Sequence, residues 1–163
     1  MNAAKAIKAS MDMSNYVLDE YIKDLSDADL LVRPGPGCNH PAWQLGHLIV
    51  SHADLMNALA EGSAQALPAG FREKYTKETA GSNDPKVFAK KDEYKDLLNA
   101  QRTAAATQLE KLSDDDLDKP APEAFRKMFP TAGHIWILIA THGLMHAGQF
   151  VPIRRMLGKP VVI

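Results

Sequence analysis

Residues 131–158 read TAGHIWILIATHGLMHAGQFVPIRRMLG, and this stretch decides the fold. Ile135, Leu138, Ile139, His142, His146, Gln149, Ile153 and Leu157 recur at helical spacing, so one stripe of a long helix is apolar except for two imidazoles and an amide. Thr131 suits an N-cap and Gly158-Lys159-Pro160 a stop. Pro152 removes one amide and predicts a kink beyond the histidines. Such a stripe needs other helices to cover it.

Three segments upstream have the same period. The first, from about Ala3 to Asp24, puts Ile7, Met11, Leu18, Ile22 and Leu25 on one side. The second begins at Pro41, a residue suited to a first helical position, and ends near Glu61-Gly62. The third starts around Asp84-Pro85 and runs to Leu112, with Tyr94, Leu98, Ala105, Leu109 and Leu112 inward. No segment of useful length alternates as a strand does, so the expected fold class is all-α. Residues 63–84 between the second and third helices exceed the about 2 to 8 residues usual in bundles. That length lets consecutive helices run parallel, giving an up-down-down-up four-helix bundle with one long crossover between helices 2 and 3. The segment reads either as a surface loop or as a lid over a ligand site.

With 163 residues, 45% of them apolar, the chain has material for one core, and residues 1–163 are read as one domain. The formal charge is -1, with 19 basic and 20 acidic residues interspersed, which excludes a field that draws nucleic acid or an anionic membrane and leaves a small-molecule substrate. Ile135 to Ala140 is too short an apolar run to span a bilayer, and Lys5, Lys8 and Asp12 interrupt the N-terminus where a secretory signal needs an uncharged run. The single cysteine, Cys38, permits no intramolecular disulfide and fits a reducing cytoplasm; in the loop PGPGCNHP it reads as a free thiol.

A short repeat runs through the chain at an offset of 87: Leu25-Ser-Asp-Ala-Asp-Leu30 returns as Leu112-Ser-Asp-Asp-Asp-Leu117, and Gly46-His47-Leu48 as Gly133-His134-Ile135. The two halves read as duplicated helix pairs. His142 and His146 map back onto Leu55 and Leu59, so any histidine site is asymmetric.

Two neutral imidazoles side by side on an apolar seam carry ring nitrogens that need partners, and a shared metal ion satisfies both. A third ligand has to come from another helix. On the second helix Gln44, His47, Leu48, Ser51, Leu55 and Leu59 face inward, and if it lies antiparallel to the fourth, His47 meets the level of His142 and His146. His134 then lies about 12 Å along the axis from His142 and is excluded. His52 is turned about 140° from His47 and is assigned a surface or interhelical hydrogen-bonding role, while His40 before Pro41 is read as a capping-region residue. Trp43 and Trp136 are read as core. Gln149, on the same stripe as the pair, is a candidate to support a ligand or touch substrate.

Trp43-x-Leu45-Gly46-His47-Leu48 together with His142-x-x-x-His146-x-Gly148-Gln149-x-x-x-x-Arg154-Arg155-x-x-Gly158 resembles the DinB/YfiT-like superfamily. The resemblance implies an up-down-down-up bundle with His47, His142 and His146 on a divalent metal, usually zinc or nickel. It also implies thiol-dependent chemistry, as in S-transferases that use a low-molecular-weight thiol, and homodimers. Other members have no known reaction, and the founding group is associated with DNA damage. Gly143-Leu144 stands here where an acidic or polar residue often follows the first histidine of the pair.

Three neutral imidazoles leave the ion's charge uncompensated and its coordination open, the arrangement of catalytic zinc sites. For thiol transfer to a small electrophile, Arg72, Lys74 and Arg154 are candidates to receive the thiol's anionic groups. For a metal-dependent hydrolase the available carboxylate is Asp54, seven after His47. A non-catalytic, stress-associated metal-binding bundle is the third reading. The apolar C-terminus Pro160-Val-Val-Ile163 adds to the expectation of a homodimer.

Overall fold

Asn2 starts the first helix by accepting the Lys5 amide on its side chain, and His40 does the same for the second by accepting the Trp43 amide at 3.1 Å on Nδ1. The capping role read for His40 is therefore borne out. The computed structural model describes residues 1–162. These form α1 (Ala3–Ile22), α2 (Pro41–Leu59), α3 (Lys91–Leu109), α4 (Asp114–Asp118), α5 (Glu123–Arg126) and α6 (Ala132–Met156), with single 3-10 turns at Asp29–Leu31 and Arg72–Tyr75. No strand occurs among the described residues, only an isolated bridge between Pro120 and Thr131. No helix among them is long and apolar enough to cross a membrane.

The stripes read from the sequence are largely the buried ones; His47, Ser51, Leu59, Leu112, Leu138 and Leu157 are half-buried, and Gln149 is exposed. Helix α6 packs on α1 and α2, and α3 on α2 and α1. Apolar side chains divide into two clusters. One gathers Leu18, Ile22, Leu48, Ile49, Leu98 and Phe150; the other gathers Met11, Leu55, Met56, Ala105, Trp136 and Ile139. Along each long helix the boundary between them is marked by a buried polar residue: Ser14, His52, Gln101 and His142. A polar layer thus crosses the interior, one residue from each long helix.

Helix α3 starts at Lys91, later than the sequence signals at Asp84-Pro85 suggest. Asp84 closes a local turn on the Lys86 amide at 2.9 Å, Phe88 is inserted into the core, and the Ala89 amide donates to the Tyr75 hydroxyl at 3.1 Å. Those bonds fix an extended Lys90 that no helix can contain. The first amide of α3 is capped from outside, Lys91 N donating to Asp27 Oδ1 at 2.8 Å. At the other end α6 continues through Pro152 to Met156.

The repeat has a structural counterpart. Ser26 and Asp29 exchange reciprocal bonds of 2.8 and 3.1 Å, and Ser113 and Asp116 do so at 3.0 and 3.2 Å, where they form the capping box of α4.

Arg154 is 1% exposed and fully engaged where α1 and α6 meet. It donates to both carboxylate oxygens of Asp24 at 2.6 and 3.1 Å, to Tyr21 O at 2.8 Å and to Pro160 O at 2.7 Å. It is thereby removed from the candidates for holding a substrate anion. The same contact ties down Pro160, and Val162 packs on the core of its own chain while Val161 stays exposed. Ile163 lies outside the described residues.

The crossover is anchored rather than loose. Phe71 and Tyr75 are buried, and Trp43 Nε1 donates to Thr76 O at 3.0 Å. Tyr75 lies flat against α2 at Gly46, where a Cβ would fall within the Tyr75 ring. Gly46→Ala is therefore expected to displace Tyr75 and destabilise the protein by about 1 to 3 kcal/mol. Gly148→Ala, with open space at its Cβ position, should be neutral or stabilising by up to about 1 kcal/mol. Urea denaturation of the two variants beside the parent measures both.

Candidate metal centre

His47 on α2 and His142 and His146 on α6 come together as the stripes require. Their ligand atoms all lie within 4.8 Å of one another. Ring centroids are 5.4 Å apart for His47 and His142, 5.5 Å for His47 and His146, and 4.8 Å for His142 and His146. The two α6 rings are 6% exposed, and His47 is half-buried.

The hydrogen bonds determine which nitrogens are bare. Gln44 Nε2 donates to Asn39 O at 2.8 Å, which turns Gln44 Oε1 toward His146. His146 Nδ1 lies 2.7 Å from that oxygen and 3.0 Å from Gln149 Oε1, so Nδ1 carries the proton and Nε2 presents its lone pair. That lone pair points at His142 Nε2, 3.2 Å away. Two nitrogens each about 2.05 Å from one ion at the tetrahedral angle stand about 3.3 Å apart, so the pair has the spacing of two ligands to a shared ion. Trp43 stacks on His47 in parallel, with centroids 5.2 Å apart and an interplanar angle of 3°, and holds that ring from behind. These are donors that fit a divalent ion.

Burial keeps the rings uncharged. It is the leading cause that pushes His142 down to about 4 and His146 to about 3, with the neighbouring imidazoles adding to it, and it lowers His47 as well. At neutral pH all three are free bases.

The remaining candidates separate clearly. Gln149, placed on the inward stripe by helical period, is instead exposed, with its Oε1 3.0 Å from His146 Nδ1. Asp54 is exposed, and its carboxylate pairs with the Arg72 guanidinium. His134 is exposed and bonded to Thr131 Oγ1 at 2.9 Å. Cys38 is an exposed free thiol. Of the two roles read for His52, the surface one does not hold: it is 8% exposed, its ring centroid is 5.9 Å from that of His142, and its Nε2 is buried without a hydrogen-bond partner among the described residues. Its neighbours on α3 and α6 close over the position that helical phase alone left outside. Gln44 was also given no site role by the sequence, although it lies on the inward stripe, because its partner is 102 positions away.

A family model described as the DinB superfamily matches residues 11–150. Among solved structures, the crystal structure of a conserved protein from Enterococcus faecalis superposes with a TM-score of 0.72 at 18% identity, covering 98% of this chain and 99% of that one. At that identity the likeness is one of fold. No curated protein matches the chain.

The depressed histidines imply a pH dependence. Unfolded imidazoles take up protons near pH 6.5, whereas His52, His142 and His146 resist them down to about 3 or 4. Below about pH 6.5 the unfolded chain therefore binds more protons than the folded one, and folding stability falls with pH. Chelator-treated protein is expected to lose about 1 kcal/mol or more per pH unit between about pH 6 and 4.5, measured by urea denaturation at each pH.

Proposed function

The chain belongs to the DinB superfamily, and from that premise we propose that it binds one divalent metal ion, zinc or nickel, through His47, His142 and His146, and uses it in an enzymatic reaction of a small thiol. The observation that carries the reading is the convergence of neutral ring nitrogens with the His146 proton held away from the centre by Gln44. A structural staple wants four protein ligands and a closed sphere; here three imidazoles converge, and half-buried His47 with exposed Gln149 supports access from one side.

A divalent ion held there supplies positive charge that favours a thiolate over a thiol. Everything else falls to the chain. Gln44 and Gln149 keep the His146 proton on Nδ1, and Trp43 fixes the plane of His47. Arg72 and Lys74 stay candidates for the anionic groups of the thiol. In the reaction the thiol proton passes to solvent, the sulfur forms a bond to carbon of the electrophile, and the leaving group departs with the electrons of the broken bond. In the hydrolase reading the carboxylate would be that of Asp54, which is exposed and paired with Arg72.

The residue pairings support an up-down-down-up bundle. Asp19 meets Arg102 while Asp27 meets Lys91, which sets α3 against α1; Gln44 meets His146 while His52 meets His142, which sets α2 against α6; and Asp24 joins Arg154 at the shared ends of α1 and α6. The crossover between α2 and α3 is then the long one. A homodimer is part of the proposal, now through exposed Met13 and Tyr16 of α1 and Ile137, Leu144 and Met145 of α6.

Purified protein is expected to carry about one divalent ion per chain by elemental analysis. His47→Ala and His142→Ala should lose it and His134→Ala should keep it. Full retention in the first two variants sinks the site. Loaded parent should then accelerate coupling of a thiol to an electrophile while the His47→Ala variant does not.

A further inference from the structure

The polar layer between the two apolar clusters contains four buried side-chain atoms without a hydrogen-bond partner among the described residues: His52 Nε2, Gln101 Oε1, Arg102 Nη2 and His142 Nδ1. Two of them belong to imidazoles whose centroids are 5.9 Å apart. An orphaned buried ring nitrogen costs a few kcal/mol, so two on neighbouring rings of α2 and α6 call for a common explanation.

The two α6 ligands differ in how their outer nitrogens are served. On His146 the nitrogen turned from the centre is bonded to Gln44 and Gln149. On His142 the inner nitrogen, Nε2, faces His146 at 3.2 Å, and the outer one, Nδ1, is bare. An imidazole that gives one nitrogen to a metal carries its proton on the other, and that N–H needs an acceptor. His52 offers one. It comes from α2 and is 8% exposed; the group of three converging histidines does not include it. End-to-end hydrogen bonding at about 3 Å places two imidazole centroids a little more than about 5 Å apart, and the two rings stand at 5.9 Å, inclined at 47°.

We infer that His52 is the positioning residue of His142: His52 Nε2 and His142 Nδ1 share one hydrogen bond across the α2–α6 interface, which holds His142 Nε2 toward the metal. This rests on the metal reading above and adds to it a fourth histidine that binds no metal. Gln44 and His52 then act as a pair, each reaching from α2 to the outer nitrogen of one α6 ligand.

The test uses the full chain and zinc or cobalt(II) alone. Affinity is measured against a competing chelator for the parent, His52→Phe and His52→Gln, together with the visible spectrum of the cobalt-loaded forms. His52→Phe is expected to weaken zinc binding about 10- to 100-fold and shift the cobalt spectrum, while His52→Gln, which keeps an acceptor, restores most of both. Equal affinity in the parent and His52→Phe overturns the inference, as does His52→Gln failing as badly as His52→Phe while the metal-free variants are equally stable. Long-range proton–nitrogen correlation on metal-free protein decides the pairing separately. One proton shared between His142 Nδ1 and His52 Nε2 supports it, and two unprotonated nitrogens overturn it. A parent that binds no zinc yet shows the shared proton defeats the metal reading and leaves the pairing intact.

Discussion

A neutral imidazole inside an apolar bundle has to place one N–H and one lone pair, and the described centre is organised by how that is done for His146. Gln44 is pinned through its amide nitrogen to Asn39 O, so its oxygen takes the His146 proton. The consequence runs in two directions. It ties the start of α2 to the middle of α6, and it leaves the His146 Nε2 lone pair directed at His142 and His47. Local helix geometry supplies the rest: a four-residue spacing brings two rings to one face, and a parallel-stacked indole fixes the third.

Cations divide along similar lines. Arg154 sits in the same C-terminal motif as the histidines, yet it is spent on Asp24, Tyr21 and Pro160 and holds the ends of α1 and α6 together. A buried guanidinium with every direction occupied is a structural device, and breaking it leaves an uncompensated charge. Arg72 is different, since it lies at the surface of the crossover with an exposed carboxylate as partner. Such a pair contributes little to stability and can be exchanged for a ligand.

Much of this was legible in the sequence because helical period reports burial directly. The four stripes follow from it; the Pro41 start and the His40 cap follow from what a helix start needs, and the convergence of His47 with His142 and His146 from the stripes once the second and fourth helices are set antiparallel. What it hid was set by partners far along the chain. The start of α3 depends on Asp27 and on Tyr75, and neither leaves a trace in the residues around Lys91. Helices α4 and α5 are too short to show a period. For His52 the angle to His47 leaves a surface and an interhelical role open, and the choice is set by the gap between two apolar clusters that only packing creates.

The stacking of Trp43 on His47 has an optical consequence. The chain contains two tryptophans, and they belong to different apolar clusters: Trp43 touches a ring of the histidine centre, and Trp136 lies with the side chains around Ile139. Indole emission responds to the charge and polarity of what lies against its face. The molecule therefore carries a built-in fluorescent reporter at the centre and a second fluorophore in the other cluster, and a Trp136→Phe background would make the intrinsic emission a single-site signal without any attached dye.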